Sequence, residues 1–141
     1  MKAHRIRLVG PWEAQQLDHE LQPIGDLITC RLPYTVVPAQ NPSGVLLLRG
    51  FHRPTGIGQN TILRIILKAN QQPHEVRMNN IPAKIYETNR IGTANLNDTH
   101  GEFAIDITRS IAEFNQLSVI FQISTTETPA TLDTAWLEIQ D

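Results

Sequence analysis

Asp98, His100 and Glu102 stand at alternate positions of N-D-T-H-G-E, at residues 97 to 102. On an extended chain the three share a face, and carboxylate, imidazole and carboxylate are donors that bind divalent metals. No second cluster elsewhere in the chain completes such a set. The stretch therefore reads as a solvated polar loop, and no metal or cofactor is assigned. A structural Ca²⁺ on loop carbonyls and carboxylates would suit a loop-rich β-protein, but no residue pattern locates one.

Other groups point to recognition rather than reaction. His52 and Arg53 follow Phe51 at the end of a predicted strand, just before Pro54, where they could hydrogen-bond sugar hydroxyls or a carboxylate. Sugar rings are commonly held on flat aromatic faces with polar neighbours for the hydroxyls. Aromatic residues are few here, at 6%, so each one counts. Ala135, Leu137 and Ile139 claim the inner face of a strand and leave Trp136 outward beside Thr134 and Glu138. An outward tryptophan needs a cover: a sugar, a partner chain or a neighbouring loop. Tyr86 and Tyr34, on or near loops, are further stacking candidates, whereas Trp12 after Gly10-Pro11 reads as a core or edge plug. His4 and His74 are isolated, and no Ser-His-Asp or Cys-His arrangement stands out. The binding candidates are thus His52, Arg53, Tyr86 and Trp136. No catalytic residue is assigned, and the chain reads as a non-enzyme.

The elements that must position these groups are strands. Phe103, Ile105 and Ile107 alternate with Glu102, Ala104 and Asp106, and Leu117, Val119, Phe121 and Ile123 repeat the pattern. Nine strands are predicted, over 5–9, 26–32, 44–51, 61–69, 75–78, 83–87, 102–107, 117–124 and 134–139, separated by Pro, Gly and Asn at roughly a dozen residues. A short helical turn is predicted over R-S-I-A-E-F, capped by Thr108, with Ile111 and Phe114 packed beneath it and Asn115 closing it in the left-handed region. Asn79-Asn80 suits the positive φ of a tight hairpin. Residues 34–43 and 88–100 read as long loops. Ile28, Cys30 and Leu32 form the apolar face of one strand, so Cys30 reads as a buried thiol. An all-β, antiparallel jelly-roll sandwich of about nine strands, spanning 1–141 as one domain, satisfies the pattern.

Composition narrows the function. A chain of 141 residues buries roughly 68% of its unfolded surface in one core. Twelve basic against 14 acidic residues give a net charge of -2, so no positive field attracts nucleic acid or an anionic bilayer. The first residues lack the apolar run of a signal peptide, and no segment approaches a membrane span. The sequence reads as soluble and cytoplasmic.

Several motifs in order, R-G-F-H-R-P at 49–54, T-I-L-R-I-I-L, V-R-M-N-N, F-A-I-D-I-T-R-S-I and N-Q-L-S-V, resemble those of the galactose-binding-like superfamily. The likeness is greatest to the non-catalytic, sugar-binding jelly-roll domain of family 2 glycoside hydrolases such as β-galactosidase and β-glucuronidase. The matching positions are Arg49, Phe51, Val76, Asn79, Phe103, Asp106, Thr108, Asn115, Leu117 and Val119. Asn80 departs from the family's usual glycine, and no catalytic barrel follows. The resemblance implies a non-catalytic carbohydrate-binding module, with Arg49 structural and paired with an acidic residue such as Asp106. The alternative is an assembly module that packs on a second copy, or on a larger enzyme, through an outer sheet face bearing Leu46, Leu48, Ile62 and Ile66. A sugar site predicts a polar cleft with an aromatic wall.

Overall fold

The structure is a computed structural model that describes residues 3–36, 43–91, 100–123 and 129–141. In chain order its strands are β1 (Ala3–Arg7), β2 (Trp12–Leu17), β3 (Pro23–Cys30), β4 (Tyr34–Val36), β5 (Gly44–His52) and β6 (Ile62–Ala69), followed by β7 (Glu75–Met78), β8 (Ile81–Ala83), β9 (Tyr86–Ile91), β10 (His100–Asp106), β11 (Phe114–Gln122) and β12 (Ala130–Gln140). One antiparallel sheet runs β1-β12-β6-β10-β9, with β4 also paired to β12; the other runs β3-β2-β5-β11-β7-β8. No helix occurs among the described residues, and so none long and apolar enough to cross a membrane.

Side-chain alternation builds the core between the sheets. Leu63, Ile65 and Leu67 of β6, Phe103 and Ile105 of β10, and Ala135, Leu137 and Ile139 of β12 face Val45, Leu47 and Phe51 of β5 and Leu117, Val119 and Phe121 of β11 in one buried cluster. Each large apolar side chain removed from water contributes about 1.5–3 kcal/mol, and only two stacked sheets can bury so many at once. Trp12 is fully buried at the head of β2, its indole N–H donating to Leu8 O at 3.0 Å. It is the predicted core plug.

Each of the nine predicted strands overlaps an observed one, and the count rises to twelve for local reasons. W-E-A-Q-Q-L is a strand, β2, whose bulge between Ala14 and Gln16 breaks the period of two while Trp12, Ala14 and Leu17 stay buried. The predicted strand over 83–87 is two strands in different sheets, β8 ending at Ala83 and β9 beginning at Tyr86. The presumed loops over 34–43 and 88–100 carry β4 and most of β9; residues 37–42 and 92–99 lie outside the described residues. The strand expected to bury Ile28, Cys30 and Leu32 is an edge strand, β3, with Ile28 68% exposed and Cys30 half-buried. Burial, then Glu13, pushes the Cys30 thiol up.

The helical turn is also corrected. Ser110 N and Ile111 N both donate to Ile107 O, closing one turn, and β11 then starts at Phe114. Thr108 does not cap a helix: its hydroxyl accepts from Leu63 N at 2.9 Å, and its own N–H donates to Asp106 Oδ1 at 2.9 Å. Asn115 takes an extended place in β11, buried, with its side chain on both the N–H and the C=O of Ala112. That grip competes with helix continuation. Phe114 turns outward rather than packing beneath. The hairpin expectation holds: between β7 and β8, Asn79 and Asn80 take φ of 53° and 68°, the pair of left-handed residues a type I′ turn requires.

Candidate functional site

The outer face of the first sheet collects two of the predicted aromatics. Trp136 points away from the core between Ala135 and Leu137, as its alternation requires, and pairs with Ile66, which pairs with Ala104, which pairs with Tyr86. Trp136 and Tyr86 therefore share one cross-strand row, which Arg7 of β1 extends beyond Trp136, and lie three strand spacings or about 14 Å apart. Ile66 and Ala104 between them are buried although they face outward.

Their cover is ionic. Arg5 of β1 lays its guanidinium 5.2 Å from the Trp136 ring centroid, donates from Nε to Glu138 Oε2 at 3.0 Å, and reaches Glu102 on β10 with Nη1 at 3.2 Å. Arg64 of β6 donates to the other Glu138 oxygen through Nε, at 2.9 Å, and through Nη2. Burial alone would raise the Glu138 carboxyl; the hydrogen bonds from Arg64 and Arg5 outweigh it and hold the group below its ordinary value. A strand residue of the same chain thus covers Trp136, and the cation stacks on the indole face a sugar would need. Ile66 is likewise withdrawn from any outer contact, while Leu46 and Leu48 of β5 are half-buried.

Tyr86, on edge strand β9, also has a cation over one face, Lys84, but remains 49% exposed. The chain passes from the second sheet to the first between β8 and β9, and this crossover leaves a cleft of about 490 Å³ beside the end of β10. The phenol ring is half exposed on one wall, with Lys84 Nζ 5.1 Å from its centroid. Ile62, Met78 and Ile81 supply apolar floor and wall, and Asp106, Thr108 and Arg109 line the polar side. One Asp106 oxygen receives the Thr108 N–H; the other has no hydrogen bond among the described residues. The cleft thus sets an acceptor, a guanidinium and an ammonium around a flat apolar ring. Such a set matches the alternating hydroxyls and C–H faces of a pyranose.

The other two candidates lie elsewhere. His52 ends β5 and meets the exposed Phe114 ring edge to face, with centroids 5.3 Å apart. It lines a separate cleft with Ile6 and Arg7. Exposed Arg53 follows it, its backbone N–H bound to Glu113 O. Four residues chosen from sequence therefore fall at three places: His52 with Arg53, Tyr86 alone, and Trp136 beneath Arg5. Arg49 does not pair with Asp106, which belongs to the opposite sheet; it donates to the carbonyls of Val9, at 2.7 Å, and Gly50. Asp98 and the His100 side chain lie outside the described residues, and Glu102 is taken by Arg5. No group of three or more His, Cys, Asp or Glu residues gathers among the described residues.

Sequence reasoning named Tyr86 but missed Lys84 and Arg109 as its neighbours, and assigned Asp106 to the fold. Only the spacing D-I-T-R hinted that a carboxylate and a guanidinium would share the mouth of one turn. No protein-family model matches the chain, and no curated protein matches it significantly.

Proposed function

We propose that the chain is a galactose-binding-like jelly-roll module that holds a carbohydrate, without catalysing its cleavage, in the cleft walled by Tyr86. One observation carries this reading: a half-exposed aromatic ring shares a cleft with Asp106, Thr108, Arg109 and Lys84. That is the polar cleft with an aromatic wall that a sugar site requires. The motif residues support the fold assignment by their structural roles, since Asn79 donates to Asn115 Oδ1 at 3.1 Å and Thr108 ties β10 to β6. Two antiparallel sheets enclosing one core are the layers of a jelly roll.

The test is a glycan array followed by titration of the best hit. Tyr86→Ala is expected to weaken that hit at least tenfold, a loss of about 1.4 kcal/mol consistent with one stacking contact. Its thermal midpoint should stay within about 2 °C of the parent, because half of the ring already faces water. A hit unaffected by Tyr86→Ala would place the sugar elsewhere, and a silent array would end the reading.

A second reading is favoured by β3. This edge strand exposes Ile24, Leu27 and Ile28 together with its unpaired backbone edge, the arrangement by which one chain adds to the sheet of another. We propose that a second copy pairs there, edge to edge, rather than on the outer sheet face. Light scattering should then give twice the monomer mass at micromolar concentration, and Leu27→Lys should return it to monomer. A monomer at all concentrations removes this reading and leaves the sugar site untouched.

A further inference from the structure

A second cleft, of about 540 Å³, opens where β5 outruns its neighbour. The register of β2 on β5 ends with Glu13 opposite Leu48, so the run from Arg49 to His52 has no strand partner on that side among the described residues. The edge strand β1 of the other sheet stands across the gap. Ile6, Leu8, Phe51 and Phe114 give the cleft its apolar surface, and two of them are open to water, Ile6 at 43% and Phe114 at 62%. The volume suits a small organic molecule.

Its charge is one-sided. Arg7 and Arg49 line the cleft with His52, and none of the lining residues is acidic. Arg49 is fixed by neutral acceptors, with Nε on Val9 O and Nη1 on Gly50 O, and has no counter-ion among the described residues. Arg7 also borders the cleft, but it stands opposite outward Trp136 in the β1–β12 register and so shares that residue's face rather than that of Ile6. The unmatched Arg49 contrasts with Arg5 of β1, which is matched by Glu138 and Glu102. A held guanidinium with an unspent N–H beside apolar side chains recognises a carboxylate attached to a flat hydrophobic body.

We propose that this cleft, independent of the Tyr86 site, binds a small aromatic or similarly flat carboxylate, the acid group facing Arg49 and the apolar body lying against Phe114 and Ile6. The ring of Phe114, which rests over Gly50 and beside His52, would be covered by the ligand on its exposed side.

Heteronuclear NMR titration of the whole chain with hydrocinnamate, and separately with the neutral amide hydrocinnamamide, tests it. Hydrocinnamate should produce saturable shifts at Ile6, Gly50, His52 and Phe114 at millimolar concentration or below. The amide should bind at least tenfold more weakly, since the charge-assisted hydrogen bonds are lost. Arg49→Gln should weaken hydrocinnamate by about tenfold, whereas Arg7→Gln, on the outward face of β1, should change it by less than about twofold. Tyr86→Ala should change nothing. Equal affinity for acid and amide, unchanged affinity in Arg49→Gln, or no saturable shift at these residues would overturn the proposal.

Discussion

Asn115→Ala is expected to lower the unfolding free energy by about 3 kcal/mol, measured by urea denaturation followed through tryptophan fluorescence. The residue is wholly buried at the start of β11. Its Nδ2 donates to Ala112 O at 2.9 Å and Phe51 O at 3.3 Å, and its Oδ1 accepts from Ala112 N at 2.8 Å and from Asn79 Nδ2 at 3.1 Å. Alanine leaves several of these partners without water or protein to replace it, and each buried orphan costs about 1–3 kcal/mol. Asn115→Asp should be as damaging, because an oxygen would then face the two carbonyls. Asn79→Ala should cost about 2 kcal/mol, about 1 of it from placing alanine at φ 53° and only the rest from lost bonds, since Asn79 lies at a half-exposed turn where water can take over its bonds to Ser110 O and Gln116 N. A loss below 1 kcal/mol for Asn115→Ala would show that backbone pairing alone fixes the β10–β11 connection.

The second large effect belongs to Glu138. Its carboxylate is the shared acceptor of Arg5 and Arg64, and its side chain is 6% exposed while theirs are 37% and 34% exposed. Glu138→Gln should cost about 2 kcal/mol at neutral pH, short of the roughly 3–5 kcal/mol for splitting a fully buried pair because both arginines can turn to solvent. The sign of the pH dependence follows from the lowered carboxyl. A group depressed in the folded state stabilises the fold fully above its unfolded value, about 4.5, and loses that contribution as pH falls through the folded value. The gap between parent and Glu138→Gln should therefore be constant from pH 8 to about pH 5, then narrow as the solution becomes more acidic. A gap that does not change with pH would mean the carboxylate charge contributes little.

What alternation could and could not reveal is clear at particular residues. Leu63, Ile65 and Leu67, or Phe103 and Ile105, announce an inward face because both flanking strands keep the period of two. Trp136 was readable as outward for the same reason, but its cover was not: Arg5 comes from the other end of the chain, and only the β1–β12 pairing brings it there. β2 escaped because a bulge shifts its period after Ala14. β3 was readable as a strand but not as an edge, since a row of apolar residues does not say whether a sheet lies opposite. The split of 83–87 into β8 and β9 was hidden because a chain that leaves one sheet for another can keep an extended conformation throughout. The Tyr86 cleft is made by that very crossing. Its aromatic wall was visible in the sequence and its polar neighbours were not.

The place of β12 has a further consequence for how the molecule comes to exist. It lies between β1 and β6 and also carries β4, so β1 and β4 have no other strand partner among the described residues. During synthesis β1 must wait, without this partner, until β12 has emerged from the ribosome. The first sheet thereby closes only once residues 130–140 have been made, and the exposed interval is one in which chaperone capture or misassociation competes with correct closure.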